Sequence, residues 1–86
     1  MKSCLSQHAE RELVVRQIPR EWLDAVLDNP EQRFDQAEGK EVLQSRFPAD
    51  NGRIYLVRAI VATDKEPPVI ITVYRTSKVA KYWRPE

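Results

Sequence analysis

The amino-acid sequence predicts an α+β domain in which two N-terminal helices pack on one face of a twisted antiparallel sheet of about four strands. Apolar residues recur at helical spacing as far as residue 31, and from there on they alternate with a period of two. Turn-forming residues divide this second part into segments of strand length. Because a chain of 86 residues has room for one hydrophobic core only, we expect residues 1–86 to form a single domain.

Two helices are predicted by their first and last residues. Residues 6–16 form the first helix, which begins at Ser6, a residue whose hydroxyl accepts from unpaired amides at a helix start. Pro19 opens the second helix, since proline suits a first turn, and Asn29-Pro30 ends it, since the residue before a proline resists helical angles. The apolar stripes are Ala9, Leu13 and Val14 in the first helix and Trp22, Leu23, Val26 and Leu27 in the second.

The second part of the chain predicts four consecutive strands. Residues 32–38 and 40–47 flank Gly39 and predict a hairpin. Residues 53–63 are apolar on both faces, which indicates a central strand, and residues 69–75 form the last strand. Turns are predicted at 49–52 and 64–68, and residues 77–83 form either a helical turn or a short extension.

The composition argues against several classes of function. The net charge is +1, and no stretch approaches the roughly 20 apolar residues of a membrane span. The start of the chain lacks the apolar run of a signal peptide, so the expected location is the cytoplasm. With one cysteine, one histidine and two glycines, the sequence offers no metal site at ligand spacing and no glycine-rich phosphate loop. We therefore expect neither a metal nor a cofactor.

Positive charge and aromatic residues are concentrated at the C-terminal end. Residues 72–86 carry four basic side chains and one acidic side chain. This pattern is typical either of a cationic surface that holds a phosphate or of a solvated tail. In the second interpretation Tyr82 and Trp83 fold back over the sheet, with Lys78 and Lys81 directed outward on their stems.

Arg58 interrupts the most apolar strand, on the face that it shares with Leu56 and Ile60. Since an unpaired buried charge is costly, Arg58 requires either a carboxylate partner or an open, wet cleft in which it faces a phosphate. Tyr74 would join it if the last strand presents that residue on the face away from the helices. Arg46, on a neighbouring strand, raises the same question.

The two ends of the chain resemble a known family. The paired residues His8-Ala9, Ile18-Pro19 and Asn29-Pro30, together with the closing stretch 72–83, are similar to the short bacterial proteins described as domain of unknown function 4258. That family is usually grouped with the toxins RelE, ParE and BrnT, so the resemblance implies a RelE-like domain. Resemblance to RelE and BrnT implies cleavage of RNA without a metal ion, a reaction in which a 2′-hydroxyl attacks the adjacent phosphorus. ParE shares the fold and does not cut RNA.

The resemblance also implies site residues and partners. Arginines and lysines would stabilise the extra negative charge of the reaction, and a tyrosine, lysine or histidine would move protons. The expected partner is RNA or, in the alternative interpretation, a small antitoxin protein held by a non-catalytic binding module. A third alternative is a family member with a different substrate. The candidate catalytic residues are Arg58, Tyr74, Lys78 and Tyr82, and the candidate substrate-binding residues are Arg46, Arg75, Lys81 and His8.

Overall fold

The computed structural model describes residues 3–85. Its elements confirm an α+β fold, because within that range three helices accompany one five-stranded sheet. Both predicted helices and all four predicted strands form. In chain order the elements are β1 (Cys4–Leu5), α1 (Gln7–Val15), α2 (Arg20–Asp28), β2 (Gln32–Gln36), β3 (Lys40–Pro48), β4 (Ile54–Ala62), β5 (Val69–Thr76) and α3 (Val79–Tyr82).

The sheet is mixed, with the strand order β1-β5-β4-β3-β2. As predicted, β4 is central, and it pairs antiparallel with β3 and with β5. The expectation of four antiparallel strands is wrong in one respect, because β1 adds a fifth strand that runs parallel to β5. A strand of two residues has no periodicity for a sequence to show. Its place is set by backbone hydrogen bonds, from the amide of Cys4 to the carbonyl of Pro68 at 2.9 Å and from Ser6 to Ile70 at 3.0 Å.

Ser6 joins the first helix to the sheet. Its Oγ accepts a hydrogen bond from the amide of Ala9 at 3.0 Å, which is the predicted N-cap, and donates one to the carbonyl oxygen of Ile71 at 3.0 Å. The register between β4 and β5 passes from Ile60–Thr72 to Val61–Ile70, so Ile71 is the extra residue of a β-bulge. One hydroxyl therefore fixes both the start of α1 and the irregular point of β5.

The main hydrophobic core lies between α1 and α2 and one face of the sheet, which we call the helix face. Trp22 of α2 stacks on Phe47 of β3, with ring centroids 5.0 Å apart. One residue of the predicted stripes is instead 78% exposed, namely Val14, because each residue of a helix turns by about 100° and carries Val14 away from the side of Leu13. The buried core residues are Ala9, Leu13, Ile18, Leu23, Val26, Leu43, Val57, Ala59, Val61, Ile70 and Val73.

The other face of the sheet, which we call the far face, buries polar groups as well as apolar ones. Side chains alternate between the faces of a strand, so Arg58 points away from the helices while its neighbours Val57 and Ala59 point into the core. The short helix α3 contacts β4. No helix within the described residues is long and apolar enough to cross a membrane. The buried residues of the far face include Val42, Gln44, Leu56 and Arg58.

We expect Leu23→Ala to lower the free energy of unfolding by about 2–5 kcal/mol, because this side chain is buried in the core and its removal leaves a cavity. Val14→Ala is the matched control, since it removes apolar atoms that already contact water, and its effect should stay within about 0.5 kcal/mol. Urea denaturation followed by circular dichroism measures both values. Equal losses in the two variants would contradict this assignment of the core.

Candidate anion-binding site

Four polar side chains form a row across the far face of the sheet. The strand register pairs Gln32 with Gln44, Gln44 with Arg58, and Arg58 with Tyr74. Residues that face each other in neighbouring strands project on the same side, so the four side chains stand next to one another. The prediction that Tyr74 joins Arg58 on the face away from the helices is therefore confirmed.

Arg58 is the centre of this row, and within residues 3–85 its side-chain hydrogen bonds and ring contacts are all with uncharged groups. The residue is 9% exposed, its Nε donates to the Oε1 of Gln44 at 2.8 Å, and its guanidinium also donates to the hydroxyl of Tyr74. The guanidinium carbon lies 4.5 Å from the ring centroid of Tyr82 and 5.5 Å from that of Tyr74. None of the ion pairs between residues 3 and 85 includes Arg58.

In this structure Arg58 has neither of the two expected surroundings, a carboxylate partner within the described chain or an open cleft, and its predicted contact with a phosphate stays a prediction. The charge is stabilised in a third way. Neutral oxygen atoms accept from the guanidinium, and aromatic rings present their electron-rich faces to it. Such contacts stabilise a cation without cancelling its charge, so the far face keeps a positive centre.

The buried amide of Gln44 orders the row, and the sequence analysis missed its role. Gln44 is fully buried; its Oε1 accepts from Arg58, and its Nε2 donates to the Oε1 of Gln32 at 2.7 Å and to the carbonyl of Tyr82 at 3.3 Å. Gln32 in turn accepts from the amide of Arg84 at 3.1 Å and donates to its carbonyl at 2.7 Å. The available signal was the predicted hairpin, whose pairing places Gln32 beside Gln44.

Residues 77–85, which we call the C-terminal strap, fold back over the far face. The ring of Trp83 lies 4.0 Å from the guanidinium carbon of Arg46, and the guanidinium carbon of Arg84 lies 3.8 Å from the ring of Phe34. Lys78 and Lys81 are exposed. The interpretation in which Tyr82 and Trp83 cover the sheet while the lysines point outward is therefore confirmed. Between the two alternatives for 77–83, the structure shows a helical turn.

Arg46 differs from Arg58 because it has a carboxylate partner. Its Nε and Nη2 donate to the two carboxylate oxygens of Glu31 at 3.2 and 2.9 Å, and its backbone amide donates to the same carboxylate at 2.7 Å. The side-chain hydrogen bond from Arg46, followed by the backbone one, holds the pKa of Glu31 below its ordinary value. Arg46 therefore lies on the far face beside the row, with its charge balanced.

Two of the predicted substrate-binding residues lie on the helix side of the sheet. Arg75 is registered with Val57, which points into the core, and its guanidinium carbon lies 4.8 Å from the ring of Tyr55. His8 is on α1, with its Nε2 3.2 Å from a carboxylate oxygen of Glu12. The thickness of the sheet separates both from Arg58, so the structure does not bring them into the row.

Two surface clefts of about 350 Å³ lie beside the helices, and neither is lined by Arg58. One is bordered by Leu13 and Ile18 and the other by Trp22 and Arg75. Within residues 3–85 no group of three or more acidic, histidine or cysteine side chains is placed to hold a metal ion. The chemistry that the far face offers is therefore that of a cation with phenol hydroxyls around it.

The fold and the far face together define a small α+β protein with a buried arginine among aromatic and amide side chains. Residues 5–75 match the family model of Domain of unknown function (DUF4258), and since the match covers most of the chain, the protein belongs to that family. The match includes Gln44, Arg58 and Tyr74 and ends before the strap, whose likeness to the family's closing segment stays a prediction. Comparison with curated proteins gave no match, and comparison with solved structures gave none.

We expect Gln44→Leu to lower the free energy of unfolding by about 1–3 kcal/mol, because the Nε of Arg58 would lose its acceptor inside the protein. Adding Arg58→Met should recover part of this loss, since replacing both partners by apolar groups costs less than breaking the pair on one side. A double-mutant cycle by urea denaturation measures the coupling, with Gln36→Leu at an exposed position as the control. Strictly additive effects of the two changes would contradict the proposed link.

We expect the stability contributed by Glu31 to depend on pH. Because the folded-state pKa is lowered, this contribution is fully present above the ordinary pKa of glutamate, about 4.3, and is lost as the pH falls through the folded-state value. The difference in unfolding free energy between the wild type and Glu31→Gln, measured at about pH 6 and about pH 3, should therefore shrink at the lower pH. A difference that stays constant would show that the ion pair with Arg46 adds nothing to stability.

Proposed function

We propose that this protein is an RNA-binding relative of the RelE-type toxins that cuts RNA without a metal ion, and that Arg58 contacts the scissile phosphate. One observation carries the proposal: a guanidinium is buried on the far face with no carboxylate partner among the described residues. Where arginine serves a structural role, a paired carboxylate is the usual means of balancing its charge, as in the neighbouring pair Arg46–Glu31. A phosphate would supply the missing negative charge and match the two-pronged donor geometry of the guanidinium.

The chemistry follows from which charges appear during cleavage. The 2′-hydroxyl oxygen forms a bond to phosphorus, the bond from phosphorus to the 5′-oxygen breaks, and the phosphorus oxygens carry extra negative charge between these events. Arg58 would stabilise that charge. Tyr74 accepts a hydrogen bond from Arg58 and keeps its own proton, which it would donate to the 5′-oxygen. The proton of the 2′-hydroxyl passes to water, since the other two predicted catalytic residues, Lys78 and Tyr82, belong to the strap that covers Arg58.

A non-catalytic protein-binding module is the second candidate, favoured by a different observation. Val14 and Val15, adjacent residues of α1, are 78% and 70% exposed. They lie on the helix side, away from Arg58, and Val14 borders one of the two clefts. A protein partner held there would leave RNA binding unaffected by any change at Arg58, so the same variant separates the two candidates.

The test is RNA binding and cleavage in EDTA by the wild type, Arg58→Met and Arg75→Met. Removing the charge at Arg58 should reduce cleavage by about 10²–10³-fold, whereas Arg75→Met removes the same charge on the opposite face and should have little effect. Binding by the wild type should weaken steeply between low and high salt. A cell-free translation reaction accompanies the assay, because cleavage confined to ribosomes would leave free RNA intact. Equal RNA binding and cleavage by the wild type and Arg58→Met would overturn the proposal.

A further inference from the structure

The C-terminal strap covers the part of the far face that RNA would need to reach. Tyr82 and Trp83 are consecutive residues, and each places its ring over a different guanidinium: Tyr82 over Arg58 at 4.5 Å and Trp83 over Arg46 at 4.0 Å. With the strap in this position Arg58 is 9% exposed. An RNA phosphate has no room to approach Arg58 while the ring of Tyr82 stays in place.

Two flat rings on two neighbouring guanidinium groups resemble two successive bases of a single RNA strand. Unstacked bases bind proteins by lying on arginine planes and aromatic rings, because every base has a flat π face. The paired bases of a duplex are stacked on each other and present no such face. The strap therefore occupies the far face in the way that single-stranded RNA would.

We propose that the strap is a displaceable internal occupant of a site for single-stranded RNA, with Tyr82 and Trp83 in the places of two successive bases. This inference rests on the proposed function, whose substrate class and regulation it specifies. RNA binds only when the strap leaves, so the strap reduces the apparent affinity of the full chain.

The contacts of the strap are of a kind that RNA can replace. α3 has four residues, none of them buried, and a helix of that length is not stable on its own. Within the described chain the strap is held by contacts between rings and arginines, by the edge contact of Tyr82 with Tyr74, and by hydrogen bonds with Gln32 and Gln44. No ion pair of Lys78, Lys81 or Arg84 to residues 3–85 holds it. The phosphates and bases of RNA would contact the same two residues, Arg46 and Arg58, in place of the strap.

The first experiment measures binding of a short fluorescent single-stranded RNA of mixed sequence, and of the same sequence as a blunt duplex, by fluorescence anisotropy. We expect Tyr82→Ala in the full chain to bind the single strand about three- to tenfold more tightly than the wild type, because the strap loses its contact with Arg58. Tyr55→Ala is the matched control: it removes the same ring from Arg75 on the opposite face and should change binding by less than about twofold. The duplex should bind more weakly than the single strand to every variant.

The second experiment follows the strap itself in the wild type. Acrylamide quenching of tryptophan fluorescence should increase when the single-stranded RNA binds, because Trp83 leaves Arg46 and enters water. The Trp83→Phe variant assigns the signal, since Trp22 remains stacked on Phe47 in the core. Circular dichroism of each variant confirms that the fold is kept.

The outcomes separate this inference from the function on which it rests. Tighter binding by Tyr82→Ala together with RNA-dependent quenching of Trp83 supports both. If the wild type binds RNA through Arg58 but Tyr82→Ala binds no more tightly, the strap is not an occupant of the site and the inference fails alone. Equal affinity for duplex and single strand overturns the substrate class. Failure of both the wild type and Tyr82→Ala to bind any RNA overturns the proposed function and the inference together.

Discussion

The arrangement of the far face follows from one constraint: a guanidinium is buried there with no carboxylate partner among residues 3–85. The charge of Arg58 is stabilised because Gln44 and Tyr74 accept hydrogen bonds from it and the rings of Tyr74 and Tyr82 present their π faces to it. The same requirement, that buried polar groups are hydrogen-bonded, applies to Gln44. Both the oxygen and the nitrogen of its buried amide have hydrogen-bond partners. The result is a buried cation that is stabilised by neutral groups within residues 3–85.

The pleat of the sheet separates the main hydrophobic core from this polar arrangement. On the helix face, apolar residues from α1, α2 and three strands pack together and include no buried charge. On the far face, alternate residues of the same strands carry the polar row. A change in the row therefore leaves the packing of the main core intact.

The contacts that hold the strap on the far face belong to the fold, and they are also the contacts that RNA would replace in the proposed binding. Its rings and its hydrogen bonds to Gln32 and Gln44 satisfy groups that would otherwise face water or remain unpaired. In the proposed exchange, an RNA strand would replace these contacts with its own, and the loss of the strap's contacts would lower its apparent affinity. The match to the family ends before the strap, whereas Arg58 lies within it.

Local features of the sequence were enough to predict the helices, the four longer strands and the central place of β4, because periodicity, caps and turn residues act within a few residues. That Arg58 and Tyr74 share a face was a conditional expectation, since it depends on the strand register. Other features appear only in the folded chain: β1 joins the sheet, Gln44 accepts a hydrogen bond from Arg58, Arg75 and His8 lie on the other side of the sheet, and Tyr82 covers Arg58. These facts depend on contacts between residues far apart in the chain. A sequence shows that Arg58 needs a partner, but strand register and the path of the strap choose which one.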